Sequence, residues 1–404
     1  MPVDSDHAIY LDNAATSFPK PEVVYETVDR WMRQAGIAYG RGNHSGTQST
    51  DQMVKETRHS IAQLLNAESA DRIALTYNCT DSLNLLLRGL IGHKDAVVST
   101  TLDHNSVLRP IHQLTAQKDV SIHRANFNRQ SGIVDVDNFA DLVKANQPRV
   151  VILNHASNVT GVVQPVKELT EIAHQAGAFV ILDAAQTVGH FPMDVQDLKV
   201  DYLAAAGHKG LLGPLGTGII YVAPDREHQL VPVRTGGNGQ NSNDIEHPTE
   251  MPSRLESGNM NIPGIAGLWA STHWLLSETV ESVHLRIHDL ENRLIEGLKS
   301  IPELKIHCRP DVSEIGNSDS YRTTGTVSVA LSEMDCREVS MILDQSFGIQ
   351  IRAGLHCAPL AHHQMGTLEE GGTIRVSPGP FTTVKDIDNV VNALREIVES
   401  MNFA

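Results

Sequence analysis

The chain reads as an α/β protein in which a mostly parallel sheet lies between helices and a smaller α/β domain follows. Three observations point there. Short apolar runs alternate with stretches of helical period through the first two thirds. Such alternation implies parallel strands covered on both faces. The 404 residues also exceed what a single core comfortably fills.

In chain order, residues 72–77, 96–100, 150–154, 179–183, 202–206 and 218–222 read as short buried strands bounded by polar or glycine-containing turns. Between them, 82–90 and 166–176 carry a helical period. From 234 to 263 the composition turns to Gly, Asn, Ser, Pro and Met without periodicity, which predicts a long irregular loop of the kind that usually carries function. Beyond it, 264–298 is helical. The remainder mixes strands at 325–330 and 373–377 with helices at 336–347 and 384–401. The expected division is a large domain over 21–263 and a small one over 264–404. No internal repeat or low-complexity segment interrupts it.

Composition narrows the function classes. A formal charge of -16 argues against capture of nucleic acid or an anionic membrane. No apolar run approaches the roughly 18 to 20 residues that span a bilayer. The first residues, Met1 to His7, lack the basic and apolar regions of a signal peptide. Four irregularly spaced cysteines, at 79, 308, 336 and 357, fit reduced thiols in the cytoplasm better than a disulfide framework.

The chemistry centres on two boxes, Leu182-Asp183-Ala184-Ala185-Gln186 and Ala205-Ala206-Gly207-His208-Lys209-Gly210. Each follows an apolar strand, and ligand sites of parallel sheets form beyond such strand ends. A carboxylate for a pyridinium nitrogen and an amine for a Schiff base are what pyridoxal phosphate requires. Asp183 and Lys209 supply them. Gln186 is placed to hydrogen-bond the ring's 3-oxygen, and the flat imidazole of His104 suits stacking on the ring and proton transfer. A lone histidine of this kind is otherwise a structural residue. The turn Asn78-Cys79-Thr80-Asp81-Ser82 reads equally as a plain helix cap or as a phosphate cradle, with backbone donors at Cys79 and the Thr80 hydroxyl.

These residues carry a resemblance. The chain is similar to the pyridoxal-phosphate enzymes of aminotransferase class V, of fold type I, and within them to the cysteine desulfurase and selenocysteine lyase group. The matching motifs run nearly end to end: Tyr10-Leu11-Asp12-Asn13-Ala14-Ala15-Thr16, Arg41-Gly42-Asn43-His44, Ser157-Asn158-Val159-Thr160-Gly161, the Asp183 and Lys209 boxes, and Arg352-Ala353-Gly354-Leu355-His356-Cys357. The resemblance implies that Asn158 contacts cofactor or substrate, that His208 contacts the phosphate, and that Arg352 lies at the mouth of the site. It implies Arg375 for the substrate carboxylate, where a planar guanidinium can make two parallel hydrogen bonds. It also implies that residues 1–20 pack with the small domain and that the enzyme is a homodimer, with Asn259 reaching the partner subunit's phosphate. Two positions depart from the family pattern: Ala206 stands where Ser or Thr is common, and Asn259 where Thr is common.

Cys357 separates the subfamilies. A desulfurase needs a thiolate that takes the substrate's sulfur as a persulfide, whereas transaminases and epimerases need none. Its short flanking segment resembles that of the second desulfurase group. Arg352 and His356 are expected to lower the thiol pKa, with His356 also near substrate. The cluster His356, Cys357, His362 and His363 offers metal ligands, but its spacing matches no common zinc pattern, so no metal is expected. The expected reaction removes sulfur from L-cysteine, leaving L-alanine and a persulfide for an acceptor protein or small thiol. The rival readings are a selenocysteine lyase, another C–S lyase, a class V aminotransferase, and a non-catalytic sulfur carrier or regulatory dimer.

Overall fold

A computed structural model describes residues 8–40, 42, 44–238, 245–310, 322–331 and 334–401. Met1 to His7, part of the loop expected over 234–263, and Arg41 and Asn43 of the Arg41-Gly42-Asn43-His44 motif lie outside the described residues.

The strands are β1 (Ile9–Tyr10), β2 (Ile73–Thr76), β3 (Ala96–Thr100), β4 (Ser121–Ala125), β5 (Val150–Asn154), β6 (Phe179–Asp183) and β7 (Tyr202–Ala206). They continue as β8 (Gly218–Val222), β9 (Leu304–Ile306), β10 (Val327–Leu331), β11 (Ile349–Gln350), β12 (Arg352–Gly354) and β13 (Thr373–Val376). The helices begin with α1 (Glu22–Gln34), α2 (Ser45–Leu65), α3 (Cys79–Leu90), α4 (Asn105–Lys118), α5 (Val136–Asn146) and α6 (Val166–Gln175). The rest are α7 (Val195–Leu198), α8 (Ile262–Glu278), α9 (Val280–Lys299), α10 (Cys336–Phe347), α11 (Pro359–Met365) and α12 (Val384–Met401).

Seven strands form the main sheet in the order β2-β8-β7-β6-β5-β3-β4. The block from β7 to β4 is parallel, while β8 runs antiparallel to both β7 and β2. Side chains alternate across a strand, and here each face meets its own apolar layer. Val151, Leu153, Val180 and Leu182 pack on one side, and Val150, Ile152, Ile181 and Tyr202 on the other. With both faces covered, β5 is buried at every residue. That double burial is why these strands read as unbroken apolar runs.

A second sheet, β12-β13-β10-β9, is antiparallel throughout. It supports a third core with α10, α12 and the later half of α9. The chain's beginning joins this side: β1 pairs in parallel with β11, and Leu11 is buried in the third core.

The boundary expected between residues 263 and 264 falls at the start of α8, which packs with the main sheet. Ile262, Ile265, Leu268 and Leu275 of α8 are buried in the core of the main sheet. The handover occurs inside α9, whose stripe at helical spacing places Val283 and Ile287 in the main core and Leu290, Leu294 and Leu298 in the third. Each such fully buried aliphatic side chain contributes about 1.5–3 kcal/mol. β4 is absent from the sequence expectation for a related reason. Ser121-Ile122-His123-Arg124-Ala125 is an edge strand with one buried residue, and it has no apolar run to read.

Candidate functional site

The parallel strands deliver polar residues to one end of the main sheet. Asp183 ends β6, Asn154 is its register partner at the end of β5, and Lys209 stands three residues past β7. They line one cavity of about 550 Å³, together with Asn158, Gln186, His104 and His208. Cys79, Thr80, Arg352 and Arg375 complete the set of sequence-derived residues on its wall.

Asp183 is buried, and its Oδ1 accepts hydrogen bonds from the Ala185 N–H at 3.1 Å and from Cys79 Sγ at 3.5 Å. Its Oδ2 accepts none among the described residues. Burial raises its carboxyl pKa above the ordinary range, so the ionised form calls for a cationic partner. Lys209 sits in a turn closed by Gly207 N–H to the Thr217 carbonyl and Gly213 N–H to the Gly207 carbonyl, at 2.9 and 2.8 Å. A Cβ at position 207 would lie 2.1 Å from Thr217 Oγ1, so only glycine fits there. Burial pushes the Lys209 amine pKa down, which favours the neutral form a nucleophilic amine needs.

His104 caps α4, its Nδ1 accepting from the Ser106 N–H at 3.0 Å. Burial, followed by the charge of Lys209, lowers its pKa to about 4, so the ring is neutral. His208 is likewise pushed down to about 4 by burial, and its Nδ1 lies 3.1 Å from Thr16 Oγ1. Gln186 does not reserve its amide wholly for a ligand, because Nε2 donates to the Ala14 carbonyl at 3.0 Å. At the start of α3, the N–H groups of Cys79 and Thr80 have no acceptor within their own helix. The Thr80 hydroxyl lies 2.8 Å from Ser106 Oγ.

Arg375 is fully buried in β13. Its Nη1 donates to the Asn158 carbonyl at 3.0 Å and its Nη2 to Asp12 Oδ1 at 2.5 Å, while Nε has no partner among the described residues. Arg352, its register partner on β12, reaches the sulfur of Cys357, with Nη2 at 3.4 Å from Sγ. Cys357 is half-buried beside the cavity and is not part of its wall.

The turn that carries Cys357 is unusual. His356 and Cys357 are successive non-glycine residues with φ of +48° and +59°, a conformation that L-residues rarely adopt. Three contacts hold it. Asn158 Nδ2 donates to the His356 carbonyl at 2.6 Å, the Asn105 N–H to the Cys357 carbonyl at 2.7 Å, and the Ala358 N–H to the Leu355 carbonyl at 2.9 Å.

His356 corrects an expectation. Its ring turns away from the cavity, with Nε2 3.1 Å from the Thr373 carbonyl, and burial drives its pKa down to about 2. Held neutral, it lends the thiol no positive charge. Arg352 alone of that pair supplies charge. Asn259 is exposed and outside the cavity, and its carbonyl accepts from the Tyr77 hydroxyl at 3.0 Å. Asn154 is a wall residue that the sequence reading passed over. Its signal was the one that exposed Asp183: a polar residue closing an apolar strand.

The residues fit pyridoxal phosphate. Asp183 offers an unengaged carboxylate oxygen, and Lys209 an amine in no hydrogen bond among the described residues. The start of α3 offers donors for an anion. The Oδ1 atoms of Asn154 and Asn158 are buried without a partner among the described residues, as expected of groups that await a ligand.

Comparison with known proteins agrees. The family model described as aminotransferase class-V matches residues 9–390. A protein of Methanothermobacter thermautotrophicus named probable cysteine desulfurase is 32% identical, the match covering 98% of this chain and 96% of that one. The cysteine desulfurase CsdA of Escherichia coli is 29% identical, with 99% and 96% covered. Among solved structures, the apo cysteine desulfurase of Thermococcus onnurineus NA1 superposes with a TM-score of 0.87 at 29% identity, covering 97% of this chain and 95% of that one. With this fold, this cavity and a family match over almost its whole length, the chain belongs to the class V aminotransferases.

Proposed function

We propose that the chain is a pyridoxal-phosphate-dependent cysteine desulfurase that moves the sulfur of L-cysteine onto Cys357 and releases L-alanine. The observation that carries this reading is Cys357, held on a strained turn with the Arg352 guanidinium at its sulfur, beside a cavity that contains Lys209 and Asp183. A class V transaminase has no use for such a thiol.

Bound pyridoxal phosphate supplies the electron sink for charge left at the amino acid's carbon skeleton. Asp183 balances the positive ring nitrogen, and the donors at the start of α3, with Thr80 and His208, bind the phosphate. Lys209 Nζ anchors the cofactor and carries the proton to and from the substrate's α carbon, a task suited to an amine whose pKa is depressed. Arg375 binds the substrate carboxylate through the guanidinium edge that Asp12 and Asn158 leave free. The Cys357 thiolate attacks the substrate sulfur. The C–S bond breaks, its electron pair stays on carbon and takes up a proton, and the sulfur remains on Cys357 as a persulfide. An acceptor thiol, on a protein or a small molecule, then removes it.

The working form is a homodimer, with the segment around Asn259 reaching the neighbour's phosphate. Exposed Leu215 on the cavity wall, with Tyr77, Val231 and Val233, offers apolar surface for that contact. A cytoplasmic location accords with four free cysteines, and among the described residues no helix is long and apolar enough to cross a membrane.

The test is mass spectrometry after incubation with L-cysteine. The peptide containing Cys357 gains one sulfur that reductant removes, and Cys357→Ala keeps its pyridoxal phosphate but forms no persulfide. An unmodified Cys357, with alanine released at the wild-type rate by the variant, overturns the proposal.

A further inference from the structure

Two of the four free cysteines stand at the site, and the reading above uses one. Cys79 lies in the cavity wall itself, as the first residue of α3, buried and 3.5 Å from Asp183 Oδ1. A thiol inside a cavity that handles sulfur is the obvious rival to Cys357 as nucleophile. Its surroundings oppose that role. A thiolate there would be buried beside the carboxylate of Asp183, and like charges so close in a low-dielectric setting repel strongly. Burial first, and Asp183 second, hold the thiol pKa well above its ordinary range. Cys79 therefore keeps its proton and can only donate.

What it donates to is the one carboxylate the cofactor needs. Asp183 ends a strand, and its side chain still has a rotation to lose. The Ala185 N–H reaches Oδ1 from one side and Cys79 from another. The turn that presents Cys79 is itself locked. Asn78 accepts from the Asp81 N–H at 2.9 Å, and Gly218 lets β8 approach so closely that a Cβ there would fall 2.7 Å from Asn78 Cα.

We propose that Cys79 is a positioning residue: its S–H donates to Asp183 Oδ1 and, with the Ala185 N–H, holds the carboxylate so that Oδ2 is left for the ring nitrogen of the cofactor. The inference rests on the pyridoxal phosphate reading above. S–H is a weak donor, but a charged acceptor strengthens the bond.

The experiment is a double-mutant cycle with Cys79→Ala and Asp183→Asn, read as the pyridoxal phosphate dissociation constant of the cofactor-stripped protein. Cys79→Ala weakens binding roughly 3- to 10-fold in the native background, the range of one hydrogen bond, and less than about 2-fold beside Asp183→Asn. Cys79→Ser, which keeps a donor, stays within about 2-fold of wild type. The infrared S–H stretch of Cys79, assigned by its loss in Cys79→Ser, shifts in Asp183→Asn. An equal cost of Cys79→Ala in both backgrounds overturns the proposal, as does no cost in either, an S–H band indifferent to Asp183, or a persulfide on Cys79 after cysteine. A wild type that takes up no pyridoxal phosphate overturns the underlying reading instead, and the S–H band of the cofactor-free protein still decides the bond.

Discussion

Asp183 and Lys209 are carried by regular strand ends and a turn whose tight approach is made at a glycine. Cys357 is carried by a turn in which two non-glycine residues in succession hold positive φ. A left-handed non-glycine residue costs about 1–3 kcal/mol. The Cys357 turn is held against that cost by the bonds from Asn158, Asn105 and Ala358 and by the burial of the His356 ring. The cofactor end carries one left-handed non-glycine residue, Leu212, three positions past Lys209, whereas the sulfur end carries two in succession, one of them Cys357 itself.

The largest expected effect belongs to the cofactor end. Lys209→Ala lowers kcat/KM by at least about 10²- to 10⁴-fold, the usual worth of a positioned acid–base group, and abolishes the visible absorbance of the purified protein. A yellow, active variant would move the anchor elsewhere and dissolve the comparison.

Acid tests both ends together. His155 and His190 lie beneath the cofactor end, His356 and His362 beneath the sulfur end, and His307 in the smaller lobe; all are buried. Burial lowers the folded-state pKa of His356 to about 2 and of the other four to about 4. The unfolded chain binds protons at these sites from near pH 6.5 downward, while the folded chain does not. Stability is therefore full above pH 6.5 and falls as pH drops toward 4, by about 1.4 kcal/mol per pH unit for each fully effective histidine. Urea midpoints measured from pH 7 to pH 5 should decline steeply. A flat profile would mean that these rings are hydrated.

A pair of glycine substitutions separates the two ends with a smaller effect. Gly189 has φ of +85°, and a Cβ there would lie 2.3 Å from the Gly210 carbonyl, next to Lys209. Gly372 has φ of +108°, and its Cβ would lie 2.2 Å from the Gly354 carbonyl, on the strand leading to Cys357. Each change to Ala should cost about 1–4 kcal/mol of stability. Gly189→Ala should also weaken cofactor binding, and Gly372→Ala should slow alkylation of Cys357 while leaving the absorbance intact. If both variants lose the same property, the two ends are one mechanical unit.

The sequence exposed the two ends unequally for the same reason. Apolar runs marked β3, β5, β6, β7 and β8 to the residue, because burial on both faces leaves an unbroken apolar signature. Asp183 and Lys209 were then visible as polar residues where such runs stop. Nothing in His356-Cys357 announces a left-handed turn, since positive φ is written plainly only in glycine. His356 was misjudged as a charge partner because adjacency in the chain says little about which way a ring faces, and packing against Thr373 decides that. The ion pair of Arg375 with Asp12 joins residues 363 positions apart, a separation no local pattern bridges.

That last pairing has a consequence for how the protein is made. Asp12 is synthesised 363 residues before Arg375, so at roughly 5–20 residues per second the acid waits on the order of 20–70 s for its partner. Until β13 is synthesised and slots between β10 and β12, the nascent chain has no Arg375 to offer a carboxylate. An unfinished copy therefore lacks the guanidinium to which the proposed function gives the substrate's carboxylate.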